Sequence, residues 1–348
     1  MASREQRAQE LKSKGLLPLI GNTPLLKVQS LSALTGREIF MKCEITNPGG
    51  TIKDRPALHM VVNAILDGHL KPGMTIVEGT AGNTGIGLAL VGQSLGFPVI
   101  VVMPEGQDPA KHKTLGLYGA KVHETAACVY PDERHFFLVG KKIGTSSPDY
   151  WWANQFDNPN NWGAHYESTA PEIWQQMEGK IDYLVCAGGS TGTIAGVSKY
   201  FKEKSPGTKV HLVDPHGSAL CQHFRTGRWD IEGTYTMAEG VGITRPTANW
   251  EMAKVDDAFM LGDQSITTLA YWLRAKEGIV MGMSSMLNLA GTLRAALKAP
   301  KGSRLVTFMC DGGERATSKM YNPAFLAEKK LDATVVSDQE LLSYFTSL

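Results

Sequence analysis

Short apolar runs alternate with glycine-rich turns and helical segments, and this feature most constrains how the chain can fold. In the first half of the chain the order is strand Thr75–Glu78, helix Gly85–Leu95, strand Val99–Met103, helix Lys111–Tyr118 and strand Lys121–Glu124. Such alternation is typical of proteins whose sheets are mainly parallel and flanked by helices. The sequence therefore predicts an α/β fold.

The same alternation resumes in the second half of the chain. An earlier strand is predicted at Ile39–Glu44, before both alternating regions. Two such regions predict a cleft at the carboxyl ends of the strands, where α/β proteins bind their ligands. The elements predicted in the second half are strand Tyr183–Ala187, helix Thr193–Glu203, strand Val210–Asp214, helix Ser265–Lys276 and strand Arg304–Met309.

One turn places a lysine at the start of a helix. The segment Asn47–Arg55 contains one proline and two glycines, and it precedes the apolar segment Pro56–Leu66. Thr51 is a plausible N-cap, which would put Lys53 in the first helical turn. The positive end of the helix dipole disfavours a cation there, so Lys53 could act as an amine nucleophile toward a carbonyl. On this turn alone, a solvated surface lysine is the commoner interpretation.

Two glycine-rich turns each follow a strand and open a helix. Backbone N–H groups and hydroxyls in Gly188–Gly196 form a typical site for a phosphate monoester. The second turn, Gly82–Gly87, has the spacing G-x-x-G-x-G rather than the G-x-G-x-x-G of dinucleotide sites, although Glu105 stands where a ribose-binding acid belongs. A loop that binds a substrate carboxylate is therefore preferred to an NAD site.

Three segments together resemble the cysteine synthase and cystathionine β-synthase family of pyridoxal-phosphate (PLP) enzymes. Asn47–Arg55 resembles the Schiff-base segment of that family, Glu78–Gly85 its asparagine loop and Gly188–Gly196 its phosphate loop. They occur in family order with family-like spacing, and the resemblance extends from about Leu17 to Tyr321. It implies the PLP fold of the tryptophan synthase β-subunit, known as fold type II, with two domains of mainly parallel twisted sheets flanked by helices.

The resemblance also implies a division of the chain into domains. A larger cofactor-binding domain is expected to comprise residues 17–58 and 160–325. Residues 59–159 would form a smaller, mobile domain. Residues 1–16 would be an N-terminal extension and residues 326–348 a C-terminal tail.

The resemblance assigns the cofactor, pyridoxal 5'-phosphate, to specific residues. Lys53 would hold it as a Schiff base and then, once freed, remove the substrate Cα proton as a general base. Asn83 would hydrogen-bond the ring hydroxyl and Ser284 the pyridine nitrogen. Judged alone, Ser284 is more often the N-cap of a helix, here Leu287–Leu297, and the two roles can coexist. The residues expected around the phosphate are Gly189, Ser190, Thr191, Gly192 and Thr193.

The asparagine loop and one glutamine would bind the substrate carboxylate. The residues implied are Thr80, Ala81, Gly82, Thr84 and Gln155. Three positions depart from the family pattern: Ala81 replaces a serine, whereas Thr191 and Met286 replace glycines. These departures leave the identity of the substrate more open than the reaction type.

The reaction implied is β-replacement on an activated serine such as O-acetylserine, with sulfide or a related nucleophile, to give L-cysteine or an analogue. A cysteine desulfhydrase, an elimination lyase that releases pyruvate, ammonia and sulfide, is the nearest alternative. A non-catalytic member that binds a partner protein is a second alternative, against which the retention of Lys53, Asn83 and Ser284 argues. Cystathionine β-synthase itself is less favoured, because neither a haem-binding N-terminal region nor a C-terminal regulatory module fits in the chain.

Charge and composition exclude several classes of partner. The chain has 35 basic and 34 acidic side chains, so neither nucleic acid nor an anionic membrane is an expected partner. Its longest apolar runs are too short to span a bilayer. The N-terminus alternates charges and carries Glu5 and Glu10, unlike a secretory signal or a transit peptide, so a cytoplasmic location is expected. The five scattered cysteines show no metal-ligand spacing, so no metal is expected. The family resemblance implies a homodimer, because family members are usually homodimers.

Overall fold

A computed structural model describes residues 3–231, 233 and 235–348. Within these residues the strands are short and mostly buried. They are Leu25–Lys27 (β1), Glu38–Cys43 (β2), Thr75–Gly79 (β3), Val99–Pro104 (β4), Lys121–Thr125 (β5), Tyr150–Trp152 (β6), Tyr183–Ala187 (β7), Lys209–Pro215 (β8), Asp257–Leu261 (β9) and Arg304–Met309 (β10).

Helices connect the strands and cover the faces of the sheets. They are Arg4–Lys12 (α1), Gln29–Thr35 (α2), Asp54–Leu66 (α3), Asn83–Leu95 (α4), Pro109–Leu117 (α5), Phe136–Gly144 (α6), Pro159–Ala164 (α7), Ala170–Gln176 (α8), Gly192–Lys204 (α9), Leu220–Thr226 (α10), Ala248–Glu251 (α11), Asp263–Glu277 (α12), Met283–Lys298 (α13), Pro323–Glu328 (α14) and Asp338–Ser347 (α15). None of these described helices combines the length and the apolar character needed to cross a bilayer.

The strands form two sheets. The larger has the order β1-β2-β10-β7-β8-β9, in which β1 is antiparallel to β2 and the other pairs are parallel. The smaller has the order β5-β4-β3-β6 and is wholly parallel. This topology confirms the predicted α/β class with mainly parallel sheets. The smaller sheet falls within residues 75–152, inside the range expected for the smaller domain, but the exact domain boundaries remain a prediction.

Both predictions of a helix cap are wrong. Helix α3 begins at Asp54, and its capping residue is Lys53 rather than Thr51. Thr51 is instead tied to the end of the larger sheet, through an isolated bridge with Asp311. Helix α13 begins at Met283 with Gly282 as its cap, so Ser284 lies inside the first helical turn.

The carboxyl ends of the parallel strands bring the three glycine-rich segments toward one region. β3 leads into the asparagine loop, β7 into the phosphate turn, and β2 into the lysine turn through a short 3₁₀ segment, Glu44–Thr46. Strand β10 ends beside the lysine turn, where the Ile52 amide donates to the Cys310 carbonyl at 2.9 Å. Within the larger sheet this convergence is expected, because parallel strands present their carboxyl ends at the same edge. β3 belongs to the smaller sheet, and the loop that follows it lines the same cavity as the phosphate turn.

Candidate active site

A cavity of about 390 Å³ lies where these strand ends meet. Its wall includes all but one of the residues that the sequence singled out, although those residues are far apart in the chain. The exception is Gly192, where an added Cβ would overlap the side chain of Asn161. The predicted residues that line the cavity are Lys53, Thr80, Ala81, Gly82, Asn83, Thr84, Gln155, Gly189, Ser190, Thr191, Thr193 and Ser284.

Lys53 is a half-buried residue on the cavity wall, at the start of α3. Desolvation lowers the pKa of its amine, and Cys310, Cys186 and Asp311 oppose that shift only in part. A lowered pKa makes the neutral, nucleophilic form of the amine more abundant near neutral pH. The chemical property predicted for Lys53 is therefore present, although its main physical cause is burial.

The phosphate turn has a tight backbone that starts helix α9. Thr191 is the cap of that helix and adopts a left-handed conformation, with φ 63°. A Cβ on Gly189 would collide with the carbonyl of Gly240, so only glycine allows these two backbones to approach so closely. The first N–H groups of a helix have no partners within it and can bind an anion.

Hydroxyl groups around this turn are fixed by neighbouring side chains. The Ser190 hydroxyl accepts from Nδ2 of Asn161 at 3.0 Å, and Oγ1 of Thr191 lies 2.8 Å from Oγ1 of Thr247. Oγ1 of Thr193 lies 3.2 Å from Nε2 of the buried His165. Burial first, and then nearby cations, hold the pKa of His165 well below its usual range, so its ring is neutral. The turn therefore offers oriented neutral donors to an anion.

Asn83 begins helix α4, and its side-chain amide bonds to two residues that follow β10. Nδ2 donates to Oδ2 of Asp311 at 2.7 Å, and Oδ1 accepts from Nη1 of Arg315 at 3.0 Å. Nη2 of Arg315 also donates to the carbonyl of Gly49 at 2.6 Å. This network joins the asparagine loop, the lysine turn and the segment after β10 into one cluster.

The side chain of Gln155 is hydrogen-bonded to the asparagine loop and to the strand before it. The loop and Gln155 were together expected to bind the substrate carboxylate. Its Oε1 accepts from the Thr84 hydroxyl at 2.6 Å, and its Nε2 donates to the Gly79 carbonyl at 3.1 Å. Its backbone N–H lies 3.4 Å from each carboxyl oxygen of Glu78. Burial raises the pKa of Glu78 to about 8 despite these hydrogen bonds. In this structure Gln155 therefore orients Thr84 and the loop.

Ser284 lies between the cavity and Asp311. Its hydroxyl is 3.4 Å from Oδ1 of Asp311, and the neighbouring hydroxyl of Ser285 accepts from the Cys310 amide at 2.8 Å. Burial, with a smaller contribution from Asp311, raises the pKa of the Cys310 thiol to about 12. The groups around Ser284 thus include a neutral hydroxyl and a protonated thiol near Lys53.

A cluster of charged residues that the sequence reasoning missed closes one side of the cavity. Glu239 pairs with Lys111 of α5 and with Lys319, whose Nζ is 2.6 Å from Oε1. The Lys111 side chain is only 3% exposed, and its Nζ also donates to the carbonyl of Ala81 at 3.1 Å. A weak sequence signal is the glycine-rich segment Glu239–Gly242, which is typical of a turn but does not indicate the lysine partners of Glu239.

The arrangement fits a pyridoxal-phosphate group. A desolvated amine, a helix start with oriented hydroxyls and a neutral hydroxyl all face one cavity. No group of three or more His, Cys, Asp or Glu residues that could hold a metal ion is found within the described ranges.

Comparison with known proteins agrees with this chemistry. The sequence profile described as "Pyridoxal-phosphate dependent enzyme" matches residues 16–311. The chain is 41% identical to "Cysteine synthase 1" of Neurospora crassa over 92% of this chain and 86% of that protein. Among solved structures it is similar to the O-acetylserine dependent cystathionine beta-synthase of Helicobacter pylori, with a TM-score of 0.79 and 31% identity over 87% of this chain and 97% of that one. A hydrogen sulfide-producing enzyme from Fusobacterium nucleatum gives a TM-score of 0.79 and 31% identity, over 86% and 98% of the two chains.

Proposed function

Because this chain belongs to the cysteine synthase and cystathionine β-synthase family of pyridoxal-phosphate-dependent enzymes, we propose that it catalyses β-replacement on an activated serine such as O-acetylserine. The nucleophile is sulfide or a related group, and the product is L-cysteine or an analogue. The observation that carries the proposal is the desolvated Lys53 amine, which lines the same cavity as the phosphate turn before α9. An amine and an anion site on one cavity suit an aldehyde that also carries a phosphate.

Each end of the cofactor has a set of residues that would hold it. The turn from Gly189 to Thr193 would bind its phosphate, and Lys53 would hold its aldehyde carbon covalently. Ser284 would face the pyridine nitrogen with a neutral hydroxyl, and Asn83 would face the ring hydroxyl. When bound, PLP supplies an electron sink that acidifies the substrate Cα–H bond and allows the β-substituent to leave.

The residues of the chain would position the substrate and move its proton. The start of α4, with Thr80, Ala81, Gly82 and Thr84, would bind the substrate carboxylate through backbone N–H groups and hydroxyls. Gln155 would join that contact or hold Thr84 in place for it. The released amine of Lys53 would take the proton from the substrate Cα. The Lys111–Glu239 pair would help to exclude water from the cavity during these steps.

Partners, location and domain motion complete the proposal. We propose that the enzyme is a cytoplasmic homodimer that acts on a small amino acid and a small nucleophile, without a metal, nucleic acid or membrane partner. Residues 59–159 would move as the smaller domain relative to the larger one, 17–58 with 160–325. The near balance of 35 basic and 34 acidic residues supports the absence of a polyanionic partner.

Elimination without replacement is the second candidate reaction. It would use the same residues and would release pyruvate, ammonia and sulfide from cysteine. The likeness to a hydrogen sulfide-producing enzyme, at 31% identity, is the observation that favours it.

Spectroscopy and product analysis test the proposal together. The purified wild type with PLP should show the visible absorbance band of lysine-bound cofactor, and Lys53→Ala should lose it, whereas the exposed-site control Lys301→Ala should keep it. O-acetylserine with sulfide should give cysteine; pyruvate from cysteine alone, without that product, would favour elimination. A colourless wild type that stays inactive after PLP is added would contradict both reactions and favour a non-catalytic binding protein.

A further inference from the structure

One stretch of the cavity wall combines aromatic rings with a guanidinium group. Arg245 lines the cavity with Tyr130, Phe137 and Phe156. Its Cζ lies 3.8 Å from the ring centroid of Phe137, 5.0 Å from that of Phe156 and 5.7 Å from that of Tyr130. Rings at these distances fix the guanidinium through cation–π contacts and limit the water around it.

The loop that carries Arg245 is anchored on both sides. Before it, the Ile243 amide donates to the Ser218 hydroxyl at 3.0 Å, and the Ile243 carbonyl accepts from the Ala219 amide at 2.8 Å. After it, Oγ1 of Thr247 lies 2.8 Å from Oγ1 of Thr191 in the phosphate turn. The position of Arg245 is therefore fixed relative to the turn expected to bind the cofactor, as a preorganised binding group requires.

The hydrogen bonds of Arg245 leave part of its donor capacity for a ligand. Nη1 donates to the Pro246 carbonyl at 2.7 Å, and Nη2 lies 3.3 Å from Oδ2 of Asp157. The other oxygen of Asp157 accepts from the Ala248 amide at 3.0 Å, so the carboxylate is shared with the backbone. A guanidinium has five N–H donors, and these two contacts use only some of them.

The neighbouring imidazole does not compete for this role as a cation. Burial first, and then the charge of Arg245, lower the pKa of His135 to about 4. Its Nδ1 accepts from the Phe137 amide at 3.3 Å. At neutral pH His135 is therefore uncharged, and the positive charge on this stretch of wall belongs to Arg245.

We propose that Arg245 forms a subsite for an anionic group, a carboxylate or phosphate, that one of the two substrates carries beyond its reacting atom. A planar guanidinium matches the paired oxygens of such a group in a bidentate fashion. The acetyl ester of O-acetylserine is uncharged until its Cβ–O bond breaks, and hydrosulfide lacks paired oxygens, so neither of these substrates needs the subsite in order to bind. The inference rests on the proposed β-replacement and narrows its substrate class.

The anionic group could belong to either substrate. In O-phosphoserine it is the leaving group: the Cβ–O bond breaks, phosphate departs with the electron pair, and sulfide forms the Cβ–S bond. In mercaptoacetate it is part of the nucleophile: the thiolate forms the Cβ–S bond while acetate departs from O-acetylserine with the electron pair of its Cβ–O bond.

Two matched pairs of reactions distinguish these sources. One compares O-phosphoserine with O-acetylserine, both with sulfide, and the other compares mercaptoacetate with 2-mercaptoethanol, both with O-acetylserine. In Arg245→Gln, kcat/KM for the anionic member of one pair should fall at least tenfold more than for its neutral counterpart. Arg245→Lys, which keeps the charge but loses the planar fork, should fall in between. The anionic substrate should also slow the reaction of phenylglyoxal with Arg245.

Two outcomes would overturn the subsite: a wild type that uses neither anionic substrate, or an Arg245→Gln variant with equal losses in both members of both pairs. Asp157→Asn, which removes the carboxylate partner and keeps the cation, is the matched control and should preserve the preference for the anionic substrate. Thermal unfolding of all three variants separates lost packing against Phe137 from lost recognition. Absence of the cofactor band and of cysteine formation from O-acetylserine and sulfide would instead count against the proposed function itself.

Discussion

Nδ2 of Asn83 donates a hydrogen bond to Oδ2 of Asp311 at 2.7 Å, although 228 positions separate the two residues in the chain. Arg315 completes the contact from the other side by donating to Oδ1 of Asn83. The amide that we expect to face the cofactor ring is therefore oriented by a carboxylate and a guanidinium together. Both groups come from the segment that follows the last strand of the larger sheet.

Replacement of that carboxylate should impair catalysis without unfolding the protein. Asp311→Asn keeps the shape of the side chain but removes the charge that strengthens its bond to Asn83. Hydrogen bonds to charged groups contribute about 1.5–3 kcal/mol, so kcat/KM for O-acetylserine and sulfide should fall about 10- to 100-fold. Asp67→Asn, at an exposed pair with Arg4, is the control and should leave kcat/KM unchanged. Equal rates for the two variants would show that Asp311 does not position Asn83.

The lowered pKa of Lys53 should be visible in its chemical reactivity. Only the neutral form of an amine reacts with acetic anhydride, so the labelling rate of each lysine rises as pH passes through its pKa. In the cofactor-free protein, Lys53 should reach half of its maximal rate at a lower pH than Lys199, whose pKa is raised by a hydrogen bond to Glu203. Peptide mass spectrometry across a pH series measures both midpoints. A midpoint for Lys53 at or above that of Lys199 would contradict the proposed effect of burial.

Glu78 should make the folded state less stable as pH rises. Its pKa is about 8 in the folded protein and near 4.5 when unfolded, so between these values only the folded state keeps the proton. The contribution of Glu78 to stability is therefore complete below about pH 4.5 and decreases by about 1.4 kcal/mol for each unit up to about pH 8. Glu78→Gln should flatten the dependence of the unfolding free energy on pH over that window, as measured by urea titration. The exposed control Glu10→Gln should retain the wild-type slope, and an unchanged slope in Glu78→Gln would exclude this effect.

Thr191 has a backbone conformation that destabilises the folded state and a side-chain hydrogen bond that stabilises it. A left-handed conformation costs a non-glycine residue about 1–2 kcal/mol, and a hydrogen bond such as that to Thr247 contributes about 1 kcal/mol. Thr191→Gly removes both effects, so its free energy of unfolding should lie within about 1 kcal/mol of the wild-type value. Thr191→Val keeps the strain but loses the hydrogen bond, and should destabilise the protein by about 1–2 kcal/mol. Urea unfolding compares the two variants, and a valine variant as stable as the glycine variant would contradict this account.

Local patterns predicted most of the described strands, and gave the bounds best where an apolar run stands between polar or turn residues. Strands β7 and β10 have the predicted bounds, because each is an apolar run bounded by polar or turn residues. Strands β1, β6 and β9 were missed. The first two have three residues each, and β6, Tyr150–Trp152, lies at the edge of its sheet beside β3. The strand character of so short a segment depends on its neighbour in the sheet, which the local sequence does not reveal.

The site also contains features with a local sequence signal and features that depend on contacts between distant residues. Lys53 and the two glycine-rich turns carry local signals of turn and helix start, and they were predictable. The bond of Asn83 to Asp311, the pairing of Lys111 with Glu239 and the packing of Arg245 on Phe137 join distant positions, and periodicity carries no signal for them. Both cap predictions failed at similar places: Thr51 pairs with Asp311 shortly before α3, and Met281 pairs with Gly312 shortly before α13, so each helix begins next to a tertiary pairing that local capping preference does not reveal.

The carboxylate of Glu239 has lysine partners on two different parts of the molecule, and they need not separate together. Lys111 lies on α5, beside the smaller sheet, whereas Lys319 lies in the segment after β10 of the larger one. A rotation of the smaller sheet away from the larger would break the first contact and could leave the second intact. Dissolved salt screens a separated pair far more than a buried one. If the smaller domain moves as proposed, its open form should therefore become more populated as ionic strength increases, and turnover should respond to salt even when both substrates are small.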